Sequence, residues 1–178
     1  MNSGTELATL RNMVDATRQL AHFALKKLEG KEADFQKRFE VNTGQEGEVS
    51  QVRKLNSVYW LIAHMAWAEN NLILRSTGGP NPEVPWLRLF ALGKPAEEGE
   101  NSGIPYAEVY AGFKKVHQMS MDQLAAMDPA NLDTENKLQW EILGGKTMRN
   151  TIMHHIRHES NHIGQLLWLV TLHGVKTI

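Results

Sequence analysis

The stretch Met153–Leu166, MHHIRHESNHIGQL, places four histidines and a glutamate inside a pattern that predicts a buried helix. The helix is predicted to begin after an N-cap at Thr147 and to end near residue 173. His158 and His162 are spaced i and i+4, about 40° apart around a helix at about 100° per residue. Two imidazoles on adjacent turns suit a single metal ion, whereas His154, roughly 80° from His162, is predicted to lie outside the pair. The apolar face of this helix is formed by Ile152, Ile156, Ile163, Leu166, Leu167 and Val170.

Helical periodicity continues through the rest of the chain. Residues 5–28 carry apolar side chains at three- and four-residue steps, which predicts an amphipathic helix. Residues 56–74 include the uncharged run Val58–Ala68, so a helix there is expected to be buried on several sides. A third helix is predicted from residue 105 to about residue 128. No segment alternates strictly enough to predict a strand, so we expect an all-α four-helix bundle formed by a single domain, residues 1–178.

Three connections separate these helices. Residues 41–51 are polar and contain glycine, which predicts a loop. Residues 76–103 are rich in glycine and proline and predict one long irregular connection, of the kind that often forms a lid or a binding wall. Residues 130–143 are equally compatible with an extended connection and a short helix.

A metal site needs more than two imidazoles from one helix, so a further ligand is expected from a facing helix. His22 points roughly 120° away from the apolar face of its helix, which favours exposure to solvent. His117 stays a candidate because its neighbours are apolar. His64 lies in the middle of an uncharged run, where an unpaired imidazole would carry a desolvation cost, and we favour it as the third ligand. The alternative, in which each histidine is a core residue bonded to a backbone carbonyl, is still open at this point.

Two glutamates also fall within apolar helix faces. A buried carboxylate such as that of Glu159 or Glu69 requires a positively charged partner. That partner could be a metal-bound imidazole, acting through its second nitrogen. It could instead be Arg157, Arg149 or a lysine across the bundle, and we favour this second option for Glu69.

The composition excludes several classes of function. The chain has 19 basic and 20 acidic residues and a net charge of −1, so no basic surface for nucleic acid or an acidic membrane is expected. It has no cysteine, which excludes disulfides, thiolate metal sites and a cysteine nucleophile, and any thiol used in its chemistry must come from another molecule. Its first residues resemble neither a signal peptide nor a membrane span, so we expect a cytoplasmic protein.

Two motifs resemble those of the DinB/YfiT-like superfamily. His158, Glu159, His162, Gly164 and Gln165 match its last-helix pattern H-E-x-x-H-x-G-Q-L. Trp60–Asn70, WLIAHMAWAEN, is similar to its second-helix motif, with His64 at the position of a metal ligand. The order and spacing of the four predicted helices agree with the family as well.

This resemblance implies a four-helix bundle, commonly dimeric, in which His64, His158 and His162 bind a divalent metal such as zinc or nickel. Three imidazoles leave a coordination position open for a reacting molecule. The resemblance therefore implies a thiol transferase that joins a small thiol cofactor to a small electrophile, as in bacillithiol- and mycothiol-dependent members. The alternatives are a metal-dependent hydrolase and a non-catalytic metal-binding or stress-response protein.

The remaining expectations concern residues around the metal and the subunit contact. Glu159 and Gln165 are expected to support the metal ligands, and His155 to act as an added ligand or a proton carrier. Trp168 lies opposite the apolar face of its helix, which favours a place in the contact of a homodimer. The expected partners are therefore a small-molecule substrate and a second copy of the chain, with neither nucleic acid nor membrane.

Overall fold

The computed structural model describes residues 2–43 and 52–177 and has an all-α fold. The prediction of an all-α chain is therefore confirmed. Its long helices are α1, Ser3–Lys27; α2, Val58–Glu69; α4, Tyr106–Ala126; and α5, Met148–Leu172; the short helix α3 is Ala96–Glu100. None of the described helices combines the length and the apolarity needed to cross a bilayer.

Polar side chains cap the first backbone amides of three long helices. The side chain of Asn2 accepts a hydrogen bond from Thr5 N, and Ser57 does the same for Trp60 at the start of α2. Thr147 caps α5, as predicted, and forms a reciprocal capping box with Asn150. These caps satisfy backbone donors that would otherwise lack a partner and fix where each helix begins.

The four long helices form a bundle in which α1 packs mainly on α5 and α2 mainly on α4, so α1 and α2 occupy opposite corners. Helices α1 and α5 run in the same direction. Arg149 at the start of α5 binds Glu6 at 2.6 Å, and Lys27 at the end of α1 reaches the backbone carbonyl of Lys176, just beyond α5, at 3.4 Å. This arrangement brings the middle of α5 beside the middle of both α1 and α2.

Helix α2 does not end at Glu69 but continues as a π-helix over Asn70–Arg75. The hydroxyl groups of Ser76 and Thr77 then donate to the backbone carbonyls of Leu72 and Ile73. Sequence periodicity predicted a helix up to residue 74 but gave no sign of the wider turn. Segments of this kind are rare and are often found next to functional sites.

The prediction that the chain has no strand was wrong. Glu40–Asn42 and Val52–Lys54 form strands β1 and β2, paired antiparallel with Val41 opposite Arg53. Each strand has three residues, too few for alternation to be recognised in the sequence. Residues 44–51, most of the predicted loop, lie outside the described part of the chain.

The connection between α2 and α4 is only partly irregular, because it contains the 3-10 helix Pro85–Phe90 as well as α3. Trp86 lies against Gly112 of α4 so closely that a Cβ there would be 2.4 Å from its ring. This contact fixes the segment that carries Phe90 over α2. Residues 129–133 form a 3-10 helix. From Thr134 to Thr147 the chain has turns at residues 137–138 and 143–144 and two isolated β-bridges, so residues 130–143 are helical at their start and irregular, not fully extended, after it.

A buried arginine lies at the centre of the bundle. The guanidinium of Arg18, on α1, is fully buried and donates to Glu159 of α5 at 2.6 and 3.0 Å. It also donates to Glu69 of α2 at 2.6 Å and to the carbonyl of Phe113 of α4 at 3.1 Å. Arg18 therefore contacts all three other long helices. The partners expected for Glu159 and Glu69 were wrong, because Arg18 binds both, while Arg149 binds Glu6 and Asp133.

The charges of this cluster compensate one another. Burial alone would raise the pKa of both carboxyl groups, but the positive charge of Arg18 holds the pKa of Glu159 and of Glu69 below its ordinary value. His117 lies 2.9 Å from Glu69, whose hydrogen bond and charge overcome the effect of burial and raise the pKa of His117. One arginine cannot neutralise two carboxylates, and both ring nitrogens of His117 face carboxylates, Nδ1 that of Glu69 and Nε2 that of Asp15, an arrangement that suits its imidazolium form as a second cation.

We expect Arg18→Met to lower the free energy of unfolding by about 3–5 kcal/mol, because it leaves two buried carboxylates without a cation. Urea denaturation measures this change. Arg149→Met is the matched control, since it removes an arginine that binds two carboxylates near the surface and should cause only a small loss. Equal losses in the two variants would contradict the central role of Arg18.

Candidate metal centre

His64 has one ring nitrogen engaged and one free. Its ring stacks on Trp60 at 4.5 Å between centroids and lies 5.4 Å from the ring of Trp67. Nδ1 is 2.7 Å from the carbonyl oxygen of Phe90. A carbonyl only accepts hydrogen bonds, so Nδ1 carries the proton and Nε2 keeps its lone pair.

His158 and His162 meet across one turn of α5. Their Nε2 atoms are 3.2 Å apart, and Nδ1 of His162 lies 3.1 Å from Oε1 of Gln165. With Gln165 as the acceptor, Nδ1 of His162 carries the proton and its Nε2 is a lone-pair donor. Two ring nitrogens at this distance share either one proton or one cation. The distance is close to the value of about 3.3 Å between two nitrogens bound tetrahedrally to zinc.

The third ring completes a group with the geometry of a metal site. Each of the three rings, those of His64, His158 and His162, has one nitrogen that lies within 4.8 Å of a nitrogen of the other two. Within residues 2–43 and 52–177, no other group of three histidine, cysteine or acidic side chains is placed to hold an ion. The proximity expected between the middle of α2 and two turns of α5 is therefore observed. That the three rings bind an ion stays a prediction.

The environment keeps these rings uncharged. Burial lowers the pKa of His64 to about 4, although the Phe90 carbonyl opposes the shift. Burial and the neighbouring imidazoles lower the pKa of His158 to about 3, and burial also lowers the pKa of His162. At neutral pH all three are neutral imidazoles, the form that binds metal ions.

The other histidines considered as ligands lie elsewhere. His22 is half-buried between α1 and α4, with Nδ1 3.1 Å from the hydroxyl of Tyr110, so the expected exposure to solvent was wrong. His117 binds Glu69 and Asp15 in the central cluster. His154 lies outside the three-ring group, as its position on the helix predicted, and contacts Arg157 at 2.9 Å.

Glu159 and Gln165 were expected to support the ligands and His155 to be an added ligand or a proton carrier, and the structure separates these three residues into two groups. Gln165 lies beside the site and accepts from His162. Glu159 is directed into the bundle centre and binds Arg18. His155 is fully buried, with Nε2 3.1 Å from Glu159 but outside hydrogen-bond geometry, and does not belong to the three-ring group. Phe90, which orients His64, was not predicted, because its role depends on how the connection folds over α2.

A pocket of about 490 Å³ adjoins the site, and His158 forms part of its lining. Its walls come from α2 and the π-helix, from the connection over residues 76–103, from the irregular chain before α5 and from α5 itself. The sequence predicted that the 76–103 connection could form a wall, and Leu92 of that connection lines the pocket. Trp140 was not predicted to line it, because it lies in a segment without helical periodicity.

We expect His158→Leu to leave the metal-free protein as stable as the wild type, or more stable. Nδ1 of His158 is buried without a hydrogen-bond partner in the described structure, and removing such a group recovers its desolvation cost of about 1–3 kcal/mol. Urea denaturation in the presence of a chelator measures the difference. Leu166→Ala, a fully buried control on the same helix, should lose about 2–5 kcal/mol. A comparable loss in His158→Leu would identify His158 as an ordinary core residue.

A family model described as the DinB superfamily matches residues 7–166. Comparison with curated proteins found no match. The match includes His64, His158 and His162. It also includes all four long helices, apart from the first residues of α1 and the last residues of α5. The chain therefore belongs to the DinB superfamily.

Proposed function

We propose that the chain is a metal-dependent enzyme that binds one zinc or nickel ion through His64, His158 and His162 and transfers a small thiol to a small electrophile. The observation that carries this proposal is a group of three neutral imidazoles, converging within 4.8 Å, next to a pocket of substrate size. Pockets for small molecules typically measure about 300–1,000 Å³.

The donor set fits a reactive metal site. Three imidazoles from two helices occupy fewer positions than the four of a closed structural site. All three are borderline donors that both zinc and nickel accept, and the chain has no cysteine that would favour a thiolate site. An ion in this site would supply Lewis acidity, which lowers the pKa of a thiol or a water molecule that reaches it.

The chain's own residues would hold the rings in place. Phe90 keeps the proton of His64 on Nδ1, and Gln165 does the same for His162, so that Nε2 of each ring is free to bind. Trp60 and Trp67 enclose the ring of His64. Glu159 acts at a distance, because its bond to Arg18 fixes the rotation of α5 that presents His158 and His162. These are positioning residues, and we assign His155 the same role through Glu159.

Thiol transfer is proposed ahead of hydrolysis because the motifs resemble those of a superfamily with thiol-dependent members; the absence of cysteine fits a borrowed thiol but is equally compatible with hydrolysis. In transfer, the thiol loses its proton, its sulfur bonds to an electrophilic carbon, and the bond to the leaving group breaks. The chain contains no sulfur nucleophile of its own, so a small external thiol would have to supply it. Hydrolysis of a small substrate at the same site is the alternative that the activity test distinguishes.

A non-catalytic metal-binding protein would not need a pocket beside the ion. The pocket that includes His158 is lined by side chains from four separate parts of the chain, which favours an enzyme. A homodimer stays part of the proposal. Trp168 is 65% exposed and Leu172, one turn later on α5, is 40% exposed, as expected of side chains that a second copy would cover.

We expect protein purified without a histidine tag to contain about one divalent metal ion per chain, measured by elemental analysis. His64→Ala and His162→Ala should each lose most of this metal, because two imidazoles hold an ion far less tightly than three. His22→Ala is the matched control and should keep its metal, since His22 lies between α1 and α4. Unchanged metal content in both site variants would exclude these ligands.

We expect the metal-loaded protein to conjugate small thiols such as bacillithiol to electrophiles, and chelation to abolish the reaction. Removing the metal should return the thiol to its ordinary pKa of about 8.5, which leaves little thiolate at neutral pH. The assay follows consumption of the thiol and formation of the conjugate. Hydrolysis without thiol consumption would support the hydrolase alternative, and full turnover after chelation would exclude the metal from the reaction.

A further inference from the structure

The pocket beside His158 has mainly apolar walls that belong to different elements. Trp67 and Leu72 come from α2 and its π-helical continuation, and Leu92 comes from the connection that follows. Trp140 and Ile142 come from the irregular chain that precedes α5. The pocket therefore forms only where these three segments meet α5 beside the metal centre.

The wall that carries Trp140 is held by a buried asparagine. Asn136 is 1% exposed, and its Nδ2 donates to the carbonyls of Trp140 and Lys146 at 2.8 and 2.7 Å. Its Oδ1 accepts from the backbone amides of Leu138 and Trp140, both at 3.1 Å. Both backbone polar groups of Trp140 are thus fixed by one side chain. The indole is presented on an ordered segment although it is 38% exposed.

The wall formed by α2 and the π-helix is also held by side-chain hydrogen bonds. Asn71, in the π-helix, donates to the carbonyl of Trp67 at 2.8 Å and accepts from Arg75 at 2.7 Å. Leu92, which also lines the pocket, has 82% of its surface exposed. An exposed leucine gains stability if a ligand covers it.

The polar side chains that line the pocket determine which charge a bound ligand can carry. No lysine or arginine is among the described residues that line it, whereas Glu141 contributes a carboxylate. His154 also lines the pocket, and because Arg157 can only donate to its Nδ1, its Nε2 carries the proton. An anionic ligand would find no cation among the lining residues and would face the charge of Glu141, because Arg157 and Arg75 bind the lining residues His154 and Asn71 without lining the pocket themselves. An uncharged apolar group meets neither obstacle.

We propose that this pocket binds an uncharged aromatic or branched apolar group of the electrophilic substrate against Trp140, Trp67 and Leu92. The inference rests on the proposed function, since it assigns the substrate class of that same site. The anionic parts of a thiol cofactor would lie elsewhere. Trp140 and Leu92 are then the residues that determine specificity.

Two hydroxamates that differ only in the apolar group test the proposal. Hydroxamates bind metal ions, so isothermal titration of zinc-loaded protein compares benzohydroxamate with acetohydroxamate. We expect benzohydroxamate to bind about tenfold more tightly, because its ring enters the pocket. A carboxylate on the ring, as in 4-carboxybenzohydroxamate, should remove this advantage. Equal affinity of benzohydroxamate and acetohydroxamate would overturn the proposal while leaving the metal site intact.

Variants of the lining residues test whether the pocket causes the tighter binding of benzohydroxamate. Trp140→Ala and Leu92→Ser should each reduce the advantage of benzohydroxamate to less than about threefold without changing acetohydroxamate binding. Trp140→Phe should keep most of it, and Leu20→Ser, at an exposed leucine of α1, is the matched control that should keep all of it. A full tenfold advantage in both Trp140→Ala and Leu92→Ser would overturn the assignment.

A measurement without metal separates this inference from the proposed function. In metal-free protein, benzyl alcohol should shift the indole N–H resonance of Trp140 in NMR spectra, whereas benzoate should not. The resonance is assigned by its absence in Trp140→Phe. If zinc does not bind but benzyl alcohol shifts Trp140, the proposed function fails and the apolar pocket stands. If neither compound shifts Trp140, or both do so equally, the pocket proposal fails.

Discussion

The ion pairs of Arg18 with Glu159 and Glu69 constrain every long helix of the bundle. One guanidinium on α1 binds a carboxylate on α5, a carboxylate on α2 and a backbone carbonyl on α4, all without contact with water. Such a cluster contributes little net stability over apolar packing, but breaking it is costly, because each remaining charge would be buried alone. It therefore acts chiefly on geometry. A rotation or a shift of α1, α2 or α5 would separate Arg18 from a buried carboxylate, and His117 of α4 extends the same constraint through its contact with Glu69.

This constraint reaches the metal centre through α5. Glu159 follows His158 directly, and His162 lies one turn further on, so fixing the carboxylate fixes the direction of both rings. Glu69 has the same relation to α2, where His64 lies five residues earlier. The three imidazoles converge because the two helices that carry them are held by the same cation. The support of the site is therefore ionic on the inner side of the bundle and aromatic on the outer side, where Trp60 and Trp67 enclose His64.

Much of this arrangement could be predicted from the sequence. The i, i+4 histidines and the uncharged run around His64 favoured a meeting of α2 and α5, and the family resemblance supported it. The central cation was missed although a signal existed, because Arg18 falls four residues after Val14 and three before Ala21, in line with the apolar face of α1. An arginine at such a position predicts a buried partner. The π-helix, the short strands and the wall around Trp140 could not be predicted, since each depends on contacts between segments far apart in the chain, not on local periodicity.

The order of the charged residues along the chain has a consequence for biosynthesis. Arg18 and Glu159 are 141 positions apart, and Glu69 lies between them. During translation Arg18 and Glu69 leave the ribosome long before Glu159, so the nascent chain has an incomplete ionic centre until the last long helix emerges. His158 and His162 emerge with that helix. Contacts of such long range form late and slowly. An ion that requires all three rings would thus be acquired after the bundle closes, as a ligand of the finished fold and not as its template.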